Sequence, residues 1–150
     1  MTDVTEPTIV EADHIAKDIT ERGLHLFDPD SIPWAPPVRR PNSHDPAEHG
    51  QGVLEKWLVK PDADDPANDR FPISIVKFPP NFVFPKHWHT EGEMLVILKG
   101  TANFAGKIIG PGTICYNDAR TIYGAEAAGP EGCEFLMVRR AYARTTVVGD

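Results

Sequence analysis

Two histidines and a glutamate form the most informative group in this chain. His87, His89 and Glu93 have the spacing H-x-H-x3-E, and Gly100 follows the glutamate after six residues. Alternate side chains of a β-strand point to the same face, so both imidazoles are expected on one side of a strand. Gly92 permits a tight turn that brings Glu93 back opposite them. Neutral imidazole and carboxylate are good ligands for divalent transition metals, and the sequence therefore predicts a metal site at these three residues.

The predicted ligand set leaves the metal and some further donors open. Iron is the metal expected in the cell, with zinc, nickel and manganese as alternatives. A purified sample can carry zinc or nickel whatever the cell loads, because these ions bind such ligands more tightly than iron does. Glu91 replaces Glu93 if the turn has another register, although the spacing to the next glycine favours Glu93. Cys115 is either a thiolate ligand or a small buried hydrophobic residue. His44 and His49 lie in a loop that offers a third imidazole only if it folds over the site.

The segments around these residues predict an all-β protein. The chain has 150 residues, enough for one domain, and its 15 prolines argue against a helical bundle. Short apolar or alternating segments are separated by turn residues at intervals of about ten residues, as in a β-sandwich or barrel. We predict strands at residues 53–59, 73–78, 82–89, 94–98, 101–104, 107–109, 113–116, 121–123 and 134–139.

The remainder of the chain predicts an extended arm before the barrel. Residues 31–52 are rich in Pro, Asn, Asp and Gly, and Trp34 is the expected packing anchor of this segment. The aliphatic residues before it fit helical spacing only loosely, and Pro29 would end such a helix. We therefore divide the chain into an arm, residues 1–52, that packs on a barrel domain, residues 53–150.

Charge and cysteine content limit the partners. A net charge of −7, with basic pairs only at Arg39-Arg40 and Arg139-Arg140, argues against nucleic-acid binding. No apolar run approaches the length of a membrane span, and no secretory signal opens the chain. We expect a soluble cytoplasmic protein with small-molecule substrates, in which Cys115 and Cys133 stay reduced.

These motifs resemble those of the cupins, small β-barrels with jelly-roll topology. The first cupin motif, G-x5-H-x-H-x3,4-E-x6-G, matches with Asn81 in place of its first glycine. Gly110-Pro111-Gly112 resembles the turn that opens the second motif, but Tyr123 stands where that motif has a fourth, histidine ligand. The resemblance covers residues 53–140. It implies a single-domain cupin-type jelly-roll β-barrel with a metal held by the first motif.

Tyr123 has three possible roles. As a metal ligand, the phenol must lose a proton whose reference pKa is near 10. As a general acid or base beside the metal, it resembles the tyrosine of some cupin lyases. As a structural residue, it fills the space of the missing histidine. The first and second roles make it a functional residue, and we take the catalytic role as the working prediction.

The resemblance implies a metal-dependent enzyme acting on a small organic molecule. The leading hypothesis is a non-haem iron dioxygenase of dicarbonyl or aromatic-type substrates, because the segment around Lys56 resembles diketone and hydroxyacetophenone dioxygenases. Those enzymes use three histidines, and this chain lacks the third. A metal-assisted lyase or isomerase with Tyr123 as acid or base, and a non-catalytic small-molecule-binding module, are the alternatives. Cupins often pair through barrel edges, so we also expect a homodimer.

Overall fold

The strands of this protein pair throughout in antiparallel fashion. The computed structural model describes residues 24–37, 45–48, 51–60, 70–139 and 145–149. In these residues, two short 3-10 helices, Pro29–Ser31 and Pro46–Glu48, are the only helical elements, which confirms the all-β prediction. The strands are β1 Leu54–Val59, β2 Ile73–Phe78, β3 Val83–Phe84, β4 His87–His89, β5 Glu93–Phe104, β6 Lys107–Ile109, β7 Ile114–Asn117, β8 Glu126–Arg139 and β9 Thr145–Val147.

Two sheets divide the predicted ligands between them. The larger sheet has the order β1-β2-β8-β5-β6, with β3 paired to β8 and β7 paired to β5. The smaller sheet contains β4 and β9. His87 and His89 therefore come from the small sheet, while Glu93 begins β5 of the large sheet. The ligands can meet only where the two sheets pack together.

Aromatic side chains fill the interior next to this region. The ring of Phe78 lies 4.7 Å from that of Phe82 and 5.0 Å from that of Phe135, between centroids. Phe84 joins the same cluster, and its ring centroid lies 4.2 Å from that of the His87 imidazole, with the two planes tilted by 52°. The hydrophobic core thus extends to the predicted metal site and forms one wall of that site. The other buried members of the core cluster are Val53, Val76, Leu95, Ile97, Ala102, Ala128 and Cys133.

Asn81, which stands in place of the first glycine of the cupin motif, has a backbone conformation that glycine favours. Its φ is 60°, a left-handed value that asparagine tolerates better than most residues. Its backbone N–H donates to the carbonyl of Gly129 at 3.1 Å, which ties the turn before β3 to strand β8. Asparagine can therefore form the turn that leads into the histidines.

Strand β8 is longer than the sequence predicts. The prediction placed its start at Glu134, but the strand begins at Glu126. Glycine and proline are rare in strand interiors, and the first half of β8 contains Gly129, Pro130 and Gly132, so its local sequence argues against a strand. Pairing with β3 and β5 holds this half in the sheet, and Pro130 falls in the stretch where the register with β5 shifts. Tertiary pairing overrides local propensity here.

Three other strand boundaries were wrong. Residues 94–98 and 101–104 form one continuous strand, because Gly100 adopts φ 73° at an irregularity in the pairing and does not end β5. The segment 82–89 divides at Pro85 into β3 and β4, which belong to different sheets. The strand predicted at residues 121–123 is only a single bridge between Tyr123 and His87. The sequence pattern also missed β9.

The described part of the arm packs on β1. The ring of Trp34 lies under the Lys56 ammonium, 4.4 Å from its Nζ, and that Nζ donates to the carbonyl of Pro29 at 2.7 Å. Ala35 pairs with Glu55 through two backbone hydrogen bonds. The division of the chain at residue 52 stays a prediction. The helical pattern before residue 24 and the loop histidines, His44 and His49, lie outside the described residues.

No helix in the described ranges has the length and apolar character to cross a bilayer.

Candidate metal centre

The two histidines of the first motif lie side by side in the interior. His87 and His89 are 1% and 4% exposed, whereas Trp88 between them is half-buried on the other face of β4. Their ring centroids are 4.9 Å apart. Glu93 is 3% exposed, while Glu91 is half-exposed in the turn. The burial of these side chains agrees with the alternation expected of a strand followed by a turn.

Hydrogen bonds fix both imidazoles through Nδ1. His87 Nδ1 lies 2.7 Å from the carbonyl oxygen of Pro85, which can only accept, so this nitrogen carries the proton. His89 Nδ1 lies 3.0 Å from the hydroxyl oxygen of Thr145 on β9. Proteins commonly orient metal-binding histidines by such a bond to the nitrogen that does not bind the metal. Nε2 of His87 is then the nitrogen with a lone pair for a ligand, whereas His89 Nε2 donates to Glu93 and becomes available to a metal when it loses that proton.

Burial keeps His87 neutral. Removal from solvent, which the hydrogen bond to Pro85 only partly offsets, lowers the pKa of this imidazole to about 4. The ring is therefore uncharged at neutral pH, as a metal ligand must be.

Glu93 is held as a carboxylate by its neighbours. Its Oε1 is 3.1 Å from His89 Nε2, and its Oε2 is 3.5 Å from the Nε of Arg139. Burial by itself raises the pKa of Glu93, but the hydrogen bond with His89 and the charges of His89 and Arg139 outweigh it and lower the pKa to about 2. The group is thus negatively charged over the whole physiological range.

Tyr123 lies against all three motif residues. Two backbone hydrogen bonds join it to His87, and its ring centroid is 4.5 Å from that imidazole. Its hydroxyl donates to Glu93 Oε1 at 2.7 Å and lies 3.1 Å from His89 Nε2. Burial, followed by the charges of Glu126 and Glu93, raises the pKa of Tyr123. The phenol is therefore a protonated hydrogen-bond donor in this environment.

The chemistry of these donors fits a divalent metal. Ligand atoms at about 2.1 Å from one ion and at right angles to each other are about 3 Å apart, close to the separation of His89 Nε2 and Glu93 Oε1. Among the described residues, however, no three His, Cys, Asp or Glu side chains are gathered closely enough to form a complete site. The structure brings His89, Glu93 and Tyr123 into direct contact and places His87 beside them. Metal binding by His87, His89 and Glu93 stays a prediction.

The structure adds residues that the sequence did not indicate. Thr145 and Arg139 support His89 and Glu93, and Glu126 is a buried carboxyl near Tyr123. Glu126 lies between the predicted strands 121–123 and 134–139, so no periodicity pointed to it. Cys115 is half-buried and unbridged, and burial raises the pKa of its thiol, which keeps it protonated.

The fold is shared with proteins of several activities. The candidate acetylacetone dioxygenase from Methylibium petroleiphilum PM1 has a TM-score of 0.57 and 16% identity, over 81% of this chain and 80% of that one. The polyketide cyclase RemF from Streptomyces resistomycificus has a TM-score of 0.56 and 19% identity, over 85% and 89%. At such identities the likeness shows the fold alone. No curated protein matches the sequence.

A regulatory protein has the same fold. The anti-sigma factor ChrR, solved with SigE of Rhodobacter sphaeroides, has a TM-score of 0.52 and 17% identity, over 75% of this chain. This chain spans about half of the length of that protein, 51%. The family model of the ChrR cupin-like domain matches residues 71–143, which include His87, His89, Glu93 and Tyr123. Together with the all-β architecture and the solved structures, this match shows that the chain has a cupin-type fold.

Proposed function

We propose that this chain is a metal-dependent cupin enzyme that acts on a small organic molecule. His87, His89 and Glu93 bind the metal, which is iron in the cell. The observation that carries the proposal is the contact of His89 Nε2 with Glu93 Oε1 at 3.1 Å, together with the hydrogen bond between His89 Nδ1 and the Thr145 hydroxyl. Groups preorganised in this way lose little freedom when they bind an ion.

The side chains around this pair give the site its proton chemistry. A divalent metal bound there acts as a Lewis acid toward substrate oxygens and, if it is iron, supports reaction with dioxygen. Tyr123 holds a proton between Glu93 and His89 and can donate a hydrogen bond to an oxygen of a substrate that displaces this contact. Arg139 keeps Glu93 oriented and ionised.

The first candidate reaction is dioxygenation of a dicarbonyl or aromatic-type substrate. Its support is the fold shared with a candidate acetylacetone dioxygenase. The two imidazoles and one carboxylate match the ligand types that bind iron in many non-haem oxygenases. This set differs from the three histidines of the diketone dioxygenases that the sequence resembles.

The second candidate is a proton-transfer reaction, as in a lyase, isomerase or cyclase. The specific observation in its favour is the Tyr123 hydroxyl, which contacts both His89 and Glu93 and stays protonated. A general acid in this position can protonate an oxygen or carbon of a bound substrate. The fold shared with a polyketide cyclase agrees with this alternative.

A third candidate is a ligand-binding module without catalysis. The match to the ChrR cupin-like domain favours it, because ChrR is an anti-sigma factor. Binding of a small molecule without its conversion is the result that this alternative predicts.

One assay separates these candidates. Iron-loaded protein is incubated with 2,4-pentanedione under air and under nitrogen, and substrate loss and oxygen consumption are both followed. Dioxygenation requires air, a proton-transfer reaction proceeds under both gases, and a binding module converts nothing. Tyr123→Phe should lower turnover at least about a hundredfold, the low end of the effect of a general acid. Tyr116→Phe, at an exposed tyrosine on β7, is the matched control and should leave turnover unchanged.

Two further expectations belong to this proposal. We propose a homodimer that buries the exposed apolar side chains of β7, Ile114 and Tyr116, which are 65% and 70% exposed. We also propose that the protein works in the cytoplasm, in keeping with the two unbridged cysteines, Cys115 and Cys133. Light scattering at several concentrations tests the first, and a loss of dimer in Ile114→Lys is the expected result.

A further inference from the structure

We propose that Glu126 and Asn117 bind a carbonyl or hydroxyl oxygen of the substrate inside the barrel. The inference rests on the proposed function in one respect: the substrate reaches the region beside Glu93 and Tyr123. Neither Glu126 nor Asn117 belongs to the metal-binding motif.

Glu126 is a carboxyl inside the aromatic core. It begins β8, where it pairs with Phe84 of β3 and Phe104 of β5. Strand alternation places it on the same face as Ala128, a member of the hydrophobic core. It is only 4% exposed. A carboxyl group buried in the core contributes neither to solubility nor to surface ion pairs.

One oxygen of this carboxyl has no partner in the described residues. Glu126 Oε1 makes no hydrogen bond, although Tyr123 lies within hydrogen-bonding reach of the carboxyl. The single proton of the Tyr123 hydroxyl is already donated to Glu93 at 2.7 Å. Buried polar groups nearly always have partners, and an exception in the interior beside candidate catalytic groups indicates a ligand contact.

Asn117 supplies a second unpartnered group on the same side of the barrel. It ends β7 directly opposite Glu93 of β5, and it is 7% exposed. Its Nδ2 has no hydrogen-bond partner in the described residues, and neither does Glu93 Oε2, apart from its ion pair with Arg139. An amide donor at Asn117 and a carboxyl at Glu126 therefore flank Glu93 and Tyr123 from different strands.

Glu126 and Asn117 offer complementary groups to an uncharged oxygen. Asn117 Nδ2 is a buried donor without a hydrogen-bond partner in the described residues, and Glu126 Oε1 is a buried oxygen in the same condition. Burial, followed by the charge of Glu93, raises the pKa of Glu126 to about 8, so the carboxyl is a donor as well as an acceptor. Carbonyl and hydroxyl oxygens match these donors and acceptors.

Calorimetric titration of zinc-loaded protein tests the inference without oxygen chemistry. The probe is 2,4-pentanedione, a dicarbonyl whose oxygens can accept hydrogen bonds from Glu126 and Asn117. Glu126→Met and Asn117→Leu should each weaken pentanedione binding about tenfold, the usual effect of losing one hydrogen bond. Glu134→Met is the control and should bind as wild type does, because Glu134 lies beyond the register shift in β8 and forms ion pairs with Lys77 and Lys99.

A second measurement covers the case in which an apolar variant fails to fold. Glu126→Gln has nearly the same shape, and the infrared difference between wild type and this variant should contain the carbonyl band of a protonated carboxyl. Addition of pentanedione should shift that band. The inference is overturned if pentanedione does not bind wild type, if folded Glu126→Met binds normally, or if the band is missing or unmoved. Metal content, measured separately, reports on the proposed function.

Discussion

The glycine that closes the first motif should be required for the packing of β5 on β8. Gly100 has φ 73°, and a methyl group there would overlap the carbonyl oxygen of Gly132 on the neighbouring strand. Gly106 has φ 87°, but a methyl group there would meet nothing within 4 Å. Gly106→Ala therefore measures backbone strain alone, while Gly100→Ala adds a collision between two backbones. The pair separates these two effects in one protein.

The expected losses differ clearly. A left-handed conformation costs an ordinary residue about 1–2 kcal/mol, which is the loss expected for Gly106→Ala. Overpacking against an immobile neighbour adds about 1–3 kcal/mol, so Gly100→Ala should lose about 2–5 kcal/mol in total. For a domain of this size, that corresponds to a fall in Tm of about 4–20 °C.

Urea unfolding followed by tryptophan fluorescence and circular dichroism gives both free energies. The m value should be unchanged in both variants, since neither changes the surface exposed on unfolding by much. Equal losses in the two variants would refute the reasoning, because they would mean that Gly132 does not restrict this position.

Two further predictions concern the site. Thr145→Val removes the partner of His89 Nδ1 and should lower zinc affinity about 10- to 100-fold in a chelator competition; Thr146→Val is the control, and equal affinities in both would contradict the role of Thr145. The pKa of Glu126 is raised from its ordinary value of 4.5 to about 8 in the folded protein. Below the ordinary value the carboxyl is neutral in both states and costs no folding free energy, but it destabilises the fold increasingly as the pH rises between these two values. Urea unfolding of Glu126→Gln should therefore show a gain over wild type that grows from about pH 5 to about pH 8, which Glu134→Gln should lack. A constant difference would argue against a buried neutral carboxyl.

Local sequence patterns were sufficient for much of the large sheet. The segment 73–78 and the apolar run after Glu93 form strands where the pattern places them. In the first half of β5 the burial alternates, as expected for one buried face, whereas three consecutive residues of β2, Ser74 to Val76, are buried. The first half of β8 shows the limit of such reasoning. Its glycines and proline have low strand propensity, and only pairing with β3 and β5, distant in sequence, holds them in the sheet.

The candidate site divides in the same way. The spacing of His87, His89 and Glu93 depends on one strand and one turn, so it can be read from the sequence. Tyr123 lies beside His87 because of a single backbone bridge. The motif comparison indicated position 123 only as the place of a missing histidine ligand. Glu126 comes to the site through long-range pairing alone, and no local pattern carries that information.

Metal content is the measurement that tests the central claim most directly. Wild type, His89→Ala and Tyr123→Phe are purified without added metal, incubated with Fe(II) or Zn(II) under nitrogen, desalted and analysed by mass spectrometry of the metal. Wild type and Tyr123→Phe should each retain about one equivalent, because Tyr123 acts as a proton donor beside the ligands, and His89→Ala should retain almost none. Wild-type protein without metal, or His89→Ala with a full equivalent, would contradict the assignment of His87, His89 and Glu93 as a metal site.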